Sequence, residues 1–170
     1  MANLETKTDA DIDQWIANHE RAGKTRAALY QDLIVERNRR HGKGLDITTS
    51  IAAMTKSAKE SHYISYGDLA ASNGMTWTKA RPLMTGKHSH LDDLLAYCHS
   101  HEMPLLTSIV VGRDHLETGE MDEETINGFV AGIRRLGVSV DEPVAFLKQC
   151  QSECFEWAAK QPDEIDTVEE

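Results

Sequence analysis

Apolar residues recur at the three- and four-residue spacing of an α-helix along most of the chain, and this periodicity constrains the fold more than any other feature. The first stripe contains Ile12, Trp15 and Ile16, and it follows Thr8 and Asp11, which have the spacing of an N-terminal capping box. Similar stripes predict further helices at about 25–41, 48–59, 65–73, 76–84, 89–103, 126–136 and 141–160. Thr25 is expected to cap the second helix, and Ser89 with Asp92 has the spacing of another capping box.

One run departs from the helical pattern. Residues 105–111 read Leu-Leu-Thr-Ser-Ile-Val-Val between Pro104 and Gly112, and a short branched run between two such residues predicts a buried strand. The polar, acidic stretch 113–124 that follows predicts a wing or a mobile loop. We therefore expect a mainly α fold with a small β element.

A chain of 170 residues is long enough to bury about 70% of its unfolded surface in one core, so we expect a single domain. Within it we distinguish an N-terminal helical extension (1–62), a winged-helix-like unit (63–112), a C-terminal helical part (113–160) and a disordered acidic tail (161–170). The sequence shows neither a long apolar span nor a secretory leader, so we expect a cytoplasmic protein without a membrane partner. Its cysteines, Cys98, Cys150 and Cys154, are then expected to be free thiols.

Charge is distributed unevenly along the chain. The net charge is -10, which by itself argues against a nucleic-acid partner. However, residues 21–88 contain 12 Lys or Arg against 5 Asp or Glu, whereas residues 89–170 contain 5 against 18. This asymmetry indicates either a phosphate-binding surface beside an acidic, partner-binding one or an acidic tail that competes for the basic site. The alternative is that folding mixes the charges over a solvated surface.

Residues 64–86 contain a capped helix that begins Ile-Ser-Tyr-Gly-Asp-Leu-Ala, then the turn Asn73-Gly74, and then a second helix that contains Ala-Arg-Pro. This order predicts a helix-turn-helix. It resembles the DNA-binding half of the alkylguanine-DNA alkyltransferases and their alkyltransferase-like relatives, in which an Ile-Ser-Tyr-x-x-Leu-Ala helix precedes a helix with Ala-Arg. The resemblance extends to Val111 and covers about 48 residues.

The resemblance implies a role for two residues. Tyr66 would lie against a DNA phosphate, and Arg81 would enter the base stack in place of an extruded base. The family's reaction also needs a Pro-Cys-His-Arg motif directly before Val-Val. Here Thr107, Ser108 and Ile109 occupy that place, so we do not predict alkyl transfer.

We therefore predict a non-catalytic DNA-binding protein, a regulator or a marker of DNA sites, that requires no cofactor. Two groups of side chains are expected to contact nucleic acid from one exposed surface. The first group is Tyr66, Thr76, Lys79, Arg81 and Lys87, and the second is Arg37, Arg39, Arg40 and Lys43. A homodimer would be consistent with this prediction, because winged helices often bind two half-sites.

Two alternatives stay open. The acidic C-terminal half could make the chain a protein-interaction module, that is, an inhibitor, antitoxin or counter-defence factor that binds a basic protein. The second alternative is a Cys/His-dependent enzyme that uses a cluster of ligand-type residues, namely His88, His90, Cys98, His99 and His101. Their spacing matches no standard zinc pattern, and adjacent helical residues point about 100° apart, so we predict no metal site.

Overall fold

Eight α-helices and one pair of two-residue strands form the regular structure in the computed structural model, which describes residues 3–86 and 88–162. The helices are α1 (Asp9–Arg21), α2 (Ala28–His41), α3 (Ile47–Lys59), α4 (Tyr66–Ser72), α5 (Trp77–Met84), α6 (His90–Ser100), α7 (Glu123–Arg135) and α8 (Pro143–Ala159). The strands β1 (Ile64–Ser65) and β2 (Val110–Val111) pair in parallel, with Ile64 opposite Val110. The predicted mainly α fold with a small β element is confirmed.

Several helix starts follow directly from local sequence signals. Thr8 and Asp11 form the predicted capping box, because the Asp11 N–H donates to Thr8 Oγ1 (3.1 Å) and the Thr8 N–H donates to Asp11 Oδ2 (3.3 Å). Ser65 accepts the Asp68 N–H at 3.0 Å and so fixes the start of α4. These side chains satisfy N–H groups that have no partner inside the helix.

Two predicted caps, Thr25 and Ser89, are wrong. Thr25 does not cap α2, which starts at Ala28; its hydroxyl lies 2.9 Å from His99 Nε2. Ser89 precedes α6 but its side chain makes no capping bond. Asp92, the expected partner in that capping box, accepts instead from Arg135 (2.5 Å) and from the His88 N–H (2.8 Å).

The predicted strand at 105–111 is wrong over most of its length. Residues Leu106–Ile109 form a short 3-10 helix, and only Val110–Val111 is extended. Side chains of α8 satisfy the backbone here, because Gln151 donates to the Ser108 carbonyl (2.9 Å) and the Cys154 thiol donates to the Leu105 carbonyl (3.3 Å). The branched residues are buried, as a strand would bury them, but β1 is too short to pair with more than two of them.

The acidic stretch after β2 is not a wing. Within the described chain it contains no strand; Arg113–His115 is a 3-10 helix, and Asp122 caps α7 by accepting the Thr125 N–H at 2.8 Å. Gly119 is buried, and its carbonyl accepts from Gln151 on α8 at 2.8 Å. The Gln151 side chain on α8 therefore holds the segment around Gly119 against the body of the protein.

The core joins helices that are far apart in sequence. Helix α2 packs against α1 and α6, and α3 packs against α4 and α8. His90 links three of these helices, because its ring nitrogens lie 3.0 Å from Asn38 Nδ2 on α2 and 2.7 Å from Ser50 Oγ on α3. This packing fixes α6 in the middle of the molecule, and α5 lies against it at the surface.

The three cysteines are buried free thiols, as predicted. None of the described helices combines the length and the apolar character that crossing a membrane would require. The predicted acidic tail lies outside the described residues from residue 163 onward.

Candidate nucleic-acid interface and the adjoining cavity

Helices α4 and α5 form a helix-turn-helix whose inner sides enter the core. Leu69 and Ala70 on α4 and Ala80 and Met84 on α5 are buried. In the turn, Gly74 has a φ of +73°, a conformation that glycine adopts without steric cost. Helix α5 exposes Thr76, Lys79 and Arg81, which we call the α5 face. Lys79 and Arg81 are two residues apart, so they lie on opposite flanks of the exposed side of the helix.

Tyr66 and Trp77 form a half-buried aromatic pair at the start of the two helices. Their ring centroids lie 5.8 Å apart, and the rings are tilted by 32°. Burial raises the pKa of Tyr66, and the nearby charge of Asp122 acts in the same direction, so the phenol stays protonated and can donate a hydrogen bond. Trp77 is partly buried and packs against the core.

The second predicted group of cations does not form a phosphate-binding patch, and Arg37 departs furthest from the prediction. Its side chain is only 3% exposed. The guanidinium donates to Asp93 on α6 at 2.7 Å and lies 2.8 Å from His88 Nδ1. The predicted phosphate contact is therefore wrong for Arg37, whose charge serves an internal ion pair.

Arg39 and Arg40 are also committed to other partners. Both donate to Glu36, at distances of 2.7–2.9 Å. These bonds, from Arg39 first, lower the pKa of Glu36 to about 2. Arg40 also binds Asp9 and the Leu4 carbonyl, both at 2.8 Å, which makes it an internal clamp rather than the free cation that we predicted.

Lys43 is the member of that group that comes close to the helix-turn-helix. It is exposed, and its neighbour Gly44 lies against the α4–α5 turn, where a Cβ at Gly44 would be 3.1 Å from Met75 Sδ. Asn73 accepts the Asp46 N–H at 2.9 Å and ties the same loop to the turn. The predicted common surface is thus reduced to Lys43 beside the α5 face, and Lys87 lies outside the described residues.

A cation that the sequence analysis missed lies on the other side of α4. Arg113 is exposed, and its Nη2 is 3.8 Å from the position that a Cβ would take at Gly67, in the first turn of α4. It lies in the acidic half of the sequence, so no local signal indicated it. Strand pairing between β1 and β2 brings it to this place.

A cavity of about 650 Å³ opens beside α5, between that helix and α6 and α7. Two predicted DNA-contact residues, Tyr66 and Arg81, line it together with Trp77. Other parts of the wall come from α6, β2, the segment before α7 and α7 itself, including Leu91, Leu95, Val110, Met121, Phe129 and Arg135. The wall is therefore mostly apolar and aromatic, with charged groups from Arg81, Asp92, Glu124 and Arg135.

Ser89 and Thr107, two residues beside the cavity, carry buried hydroxyls that form no hydrogen bond within the described structure. Ser89 and Thr107 are 9% and 6% exposed, and neither Ser89 Oγ nor Thr107 Oγ1 has a hydrogen-bond partner within the described structure. A buried hydroxyl without a partner is unfavourable by about 1–3 kcal/mol. Neither unpartnered hydroxyl could be predicted from the sequence, and Ser89 was expected to cap α6.

The Cys/His cluster predicted as an alternative site does not come together. His90 is buried between Asn38 and Ser50, His99 binds Thr25, and His101 stacks on Tyr97 with ring centroids 4.2 Å apart. Burial raises the pKa of Cys98 to about 12. Among the described residues, no three His, Cys, Asp or Glu side chains are grouped so that they could hold a metal ion.

No protein-family model, curated protein or solved structure matches this chain.

Proposed function

We propose that the protein binds duplex DNA through the α5 face and catalyses no reaction on it. The observation that carries this proposal is the position of Arg81. Arg81 is exposed on α5 and forms no ion pair with an acidic residue in the described part of the chain. Helix α5 is the second helix of the helix-turn-helix, which is the helix that such motifs place in the DNA groove. Thr76 and Lys79 are exposed on the same helix.

Contacts to phosphate would come from the residues that surround this helix. Lys79 is an exposed cation on α5, Lys43 is an exposed cation next to Gly44 at the α4–α5 turn, and Tyr66 supplies a protonated phenol. The resemblance to the alkyltransferase-like proteins supports insertion of Arg81 into the base stack. A cation in that position can fill the space of an extruded base and stack on its neighbours.

The rest of the surface limits the strength of this binding. With a net charge of -10, the protein as a whole repels DNA, so attraction has to come from the few cations near α5. Neutralising about three phosphates gives a slope of about -2.7 for the logarithm of the binding constant against the logarithm of the salt concentration. We therefore expect modest affinity and a shallow dependence on salt.

The absence of a catalytic step is supported by the state of the thiols. Burial raises the pKa of Cys98 and Cys150 to about 12 and that of Cys154 to about 11. A thiol that stays protonated is a poor nucleophile, and none of the three lies in the wall of the cavity. No alkyl acceptor is thus offered to a bound base.

Fluorescence anisotropy with a labelled DNA duplex at several salt concentrations tests the proposal. We expect Arg81→Ala to weaken binding about tenfold and Lys79→Ala to reduce the salt slope by about one. Lys148→Ala is the matched control, because Lys148 is an exposed cation on α8, away from the α5 face. It should bind DNA nearly as the wild-type protein does.

Two results would contradict the proposal. One is the absence of salt-dependent association with any duplex, and the other is an Arg81→Ala variant that binds as tightly as Lys148→Ala. Binding of a basic protein without binding of DNA would favour the protein-interaction alternative.

A further inference from the structure

We propose that Arg113 binds the DNA backbone at the start of α4, and that Arg113 and Lys43 contact phosphates of opposite strands on either side of the major groove that α5 enters. This inference rests on the proposed DNA binding and adds an orientation to it, because the duplex has to lie across α4 with one cation over each strand. In a helix-turn-helix the first helix crosses the DNA backbone while the second helix lies in the major groove.

Arg113 has an exposed side chain whose guanidinium forms no ion pair or hydrogen bond with the described residues. Asp68 and Asp114 are exposed acidic neighbours, and Arg113 is paired with neither of them. An arginine without an internal partner can donate two parallel hydrogen bonds to a phosphate. Arg113 therefore differs from Arg37 and Arg40, whose guanidinium groups donate to carboxylates of the protein.

The fold holds Arg113 against the first turn of α4. Arg113 Nη2 is 3.8 Å from the position that a Cβ would take at Gly67, and the absence of a side chain at Gly67 leaves the guanidinium beside the helix backbone. Ser65 pairs with Val111, and Gly67 and Arg113 each follow two residues after this pair. The pairing of β1 with β2 therefore sets the position of Arg113 relative to α4.

Arg113 and Lys43 lie at opposite ends of α4. Arg113 is at the first turn, whereas Lys43 precedes Gly44, which lies against Met75 in the turn that follows the helix. Helix α4 has 7 residues, so its ends are about 10 Å apart. The major groove of B-form DNA is about 12 Å wide. The spacing of the two cations thus matches the spacing of the phosphates on the two edges of one major groove.

Substitution of Arg113 tests the backbone contact by fluorescence anisotropy with a labelled duplex. We expect Arg113→Ala to weaken binding about fivefold and to reduce the salt slope by about one, whereas Arg113→Lys keeps the charge and the slope. Arg113→Ala should unfold at the temperature of the wild-type protein, because its guanidinium has no partner among the described residues. Lys148→Ala again serves as the control away from the interface.

Gly67→Glu tests the position of this contact without removing the cation. It places a carboxylate beside the Arg113 guanidinium, so it should weaken DNA binding at least as much as Arg113→Ala does. Gly67→Gln is the matched neutral control. A Cβ at Gly67 meets its nearest atoms at 3.8 and 3.9 Å, which is ordinary contact, so both variants should fold. Equally tight DNA binding by the two variants would overturn the placement of a phosphate here.

A duplex in which one strand has neutral methylphosphonate linkages tests the contact with opposite strands. Neutralising one strand removes one of the two contacts, whichever way round the protein binds. The salt slope of Arg113→Ala/Lys43→Ala should therefore be smaller than that of the wild type by about two on an ordinary duplex and by about one on the half-neutral duplex. A difference of about two on both duplexes would place both contacts on one strand and overturn the proposed orientation.

Arg81→Ala separates a failure of this inference from a failure of the proposed function. If Arg81→Ala weakens DNA binding while Arg113→Ala binds as tightly as Lys148→Ala, DNA binding stands and the role of Arg113 is wrong. If the wild-type protein shows no salt-dependent binding to a duplex, both are wrong.

Discussion

Arg37 shows how a distant partner determines what a basic residue does. In the sequence it belongs with Arg39 and Arg40 to one basic run at the end of α2. In the structure its side chain is 3% exposed and pairs with Asp93, 56 positions further along the chain. The sequence shows that position 37 is a cation, but the packing of α2 on α6 determines that the Arg37 side chain is buried.

We expect Arg37→Met to destabilise the protein by about 3–5 kcal/mol, because it leaves Asp93 buried without its partner. The free energy of unfolding in urea measures the effect. Arg39→Met serves as the control, since the Arg39 side chain is 62% exposed, and its stability should stay close to that of the wild type.

The double variant Arg37→Met/Asp93→Leu should recover much of the lost stability, because it removes both buried charges. If Arg37→Met instead weakened DNA binding and left the stability unchanged, the assignment of Arg37 to an internal ion pair would be wrong.

At the scale of the elements, the sequence predicts helices well and extended segments poorly. Periodicity and caps located α1, α3 and α4 because the signals for them lie within a few residues of each helix start. The segment 105–111 has the composition of a strand, yet Gln151 and Cys154 on α8 take up its carbonyl groups. Contacts between elements remote in sequence decide such cases, and one sequence does not contain a local signal for them.

Part of the candidate site could be predicted from the sequence and part could not. The helix-turn-helix and the exposure of Lys79 and Arg81 follow from the motif at 64–86. The cavity could not be predicted, because its wall joins α5, α6 and α7, which only the packing of the helices brings together.

Gly119 is the residue that holds the segment before α7 in place. Its φ is +70°, and a Cβ there would overlap the Tyr63 ring. We expect Gly119→Ala to destabilise the protein by about 2 kcal/mol or more, since it combines a left-handed backbone with a steric clash. Thermal or urea unfolding measures this loss.

Gly128→Ala is the matched comparison for this substitution. Its backbone is helical and its Cβ position is open, so it should stabilise α7 by about 1 kcal/mol. A Gly119→Ala protein as stable as Gly128→Ala would show that the segment is not packed against Tyr63.

At the scale of the whole molecule, His90 connects stability to pH. Burial lowers the pKa of His90 to about 4, whereas an imidazole in the unfolded chain titrates near pH 6.5. The unfolded state therefore binds more protons between these two values. Stability from this group is fully present above about pH 6.5 and is lost as the pH falls toward 4, by up to about 1.4 kcal/mol per pH unit.

Urea unfolding at several pH values between 4 and 7 measures this loss in the wild-type protein and in His90→Gln. The variant should be less stable at pH 7, because it disturbs the link between Asn38 and Ser50, but it should lose less stability on acidification. All other titrating groups are common to both proteins, so the difference in slope isolates His90. Equal slopes would contradict the expected titration.

The parallel pairing of β1 with β2 couples the positions of the three helices that lie between them in sequence. Helices α4, α5 and α6 all lie on the stretch of chain between these two strands, so both ends of that stretch are fastened at one point. A substitution that loosens the Ile64–Val110 register would shift the exposed cations and the wall of the cavity together. Changes confined to α1 leave that segment intact, whereas changes in α8 reach it, because Gln151 and Cys154 bind carbonyl groups just before β2. Helix α1 can therefore vary in evolution while the exposed cations and the cavity wall stay aligned.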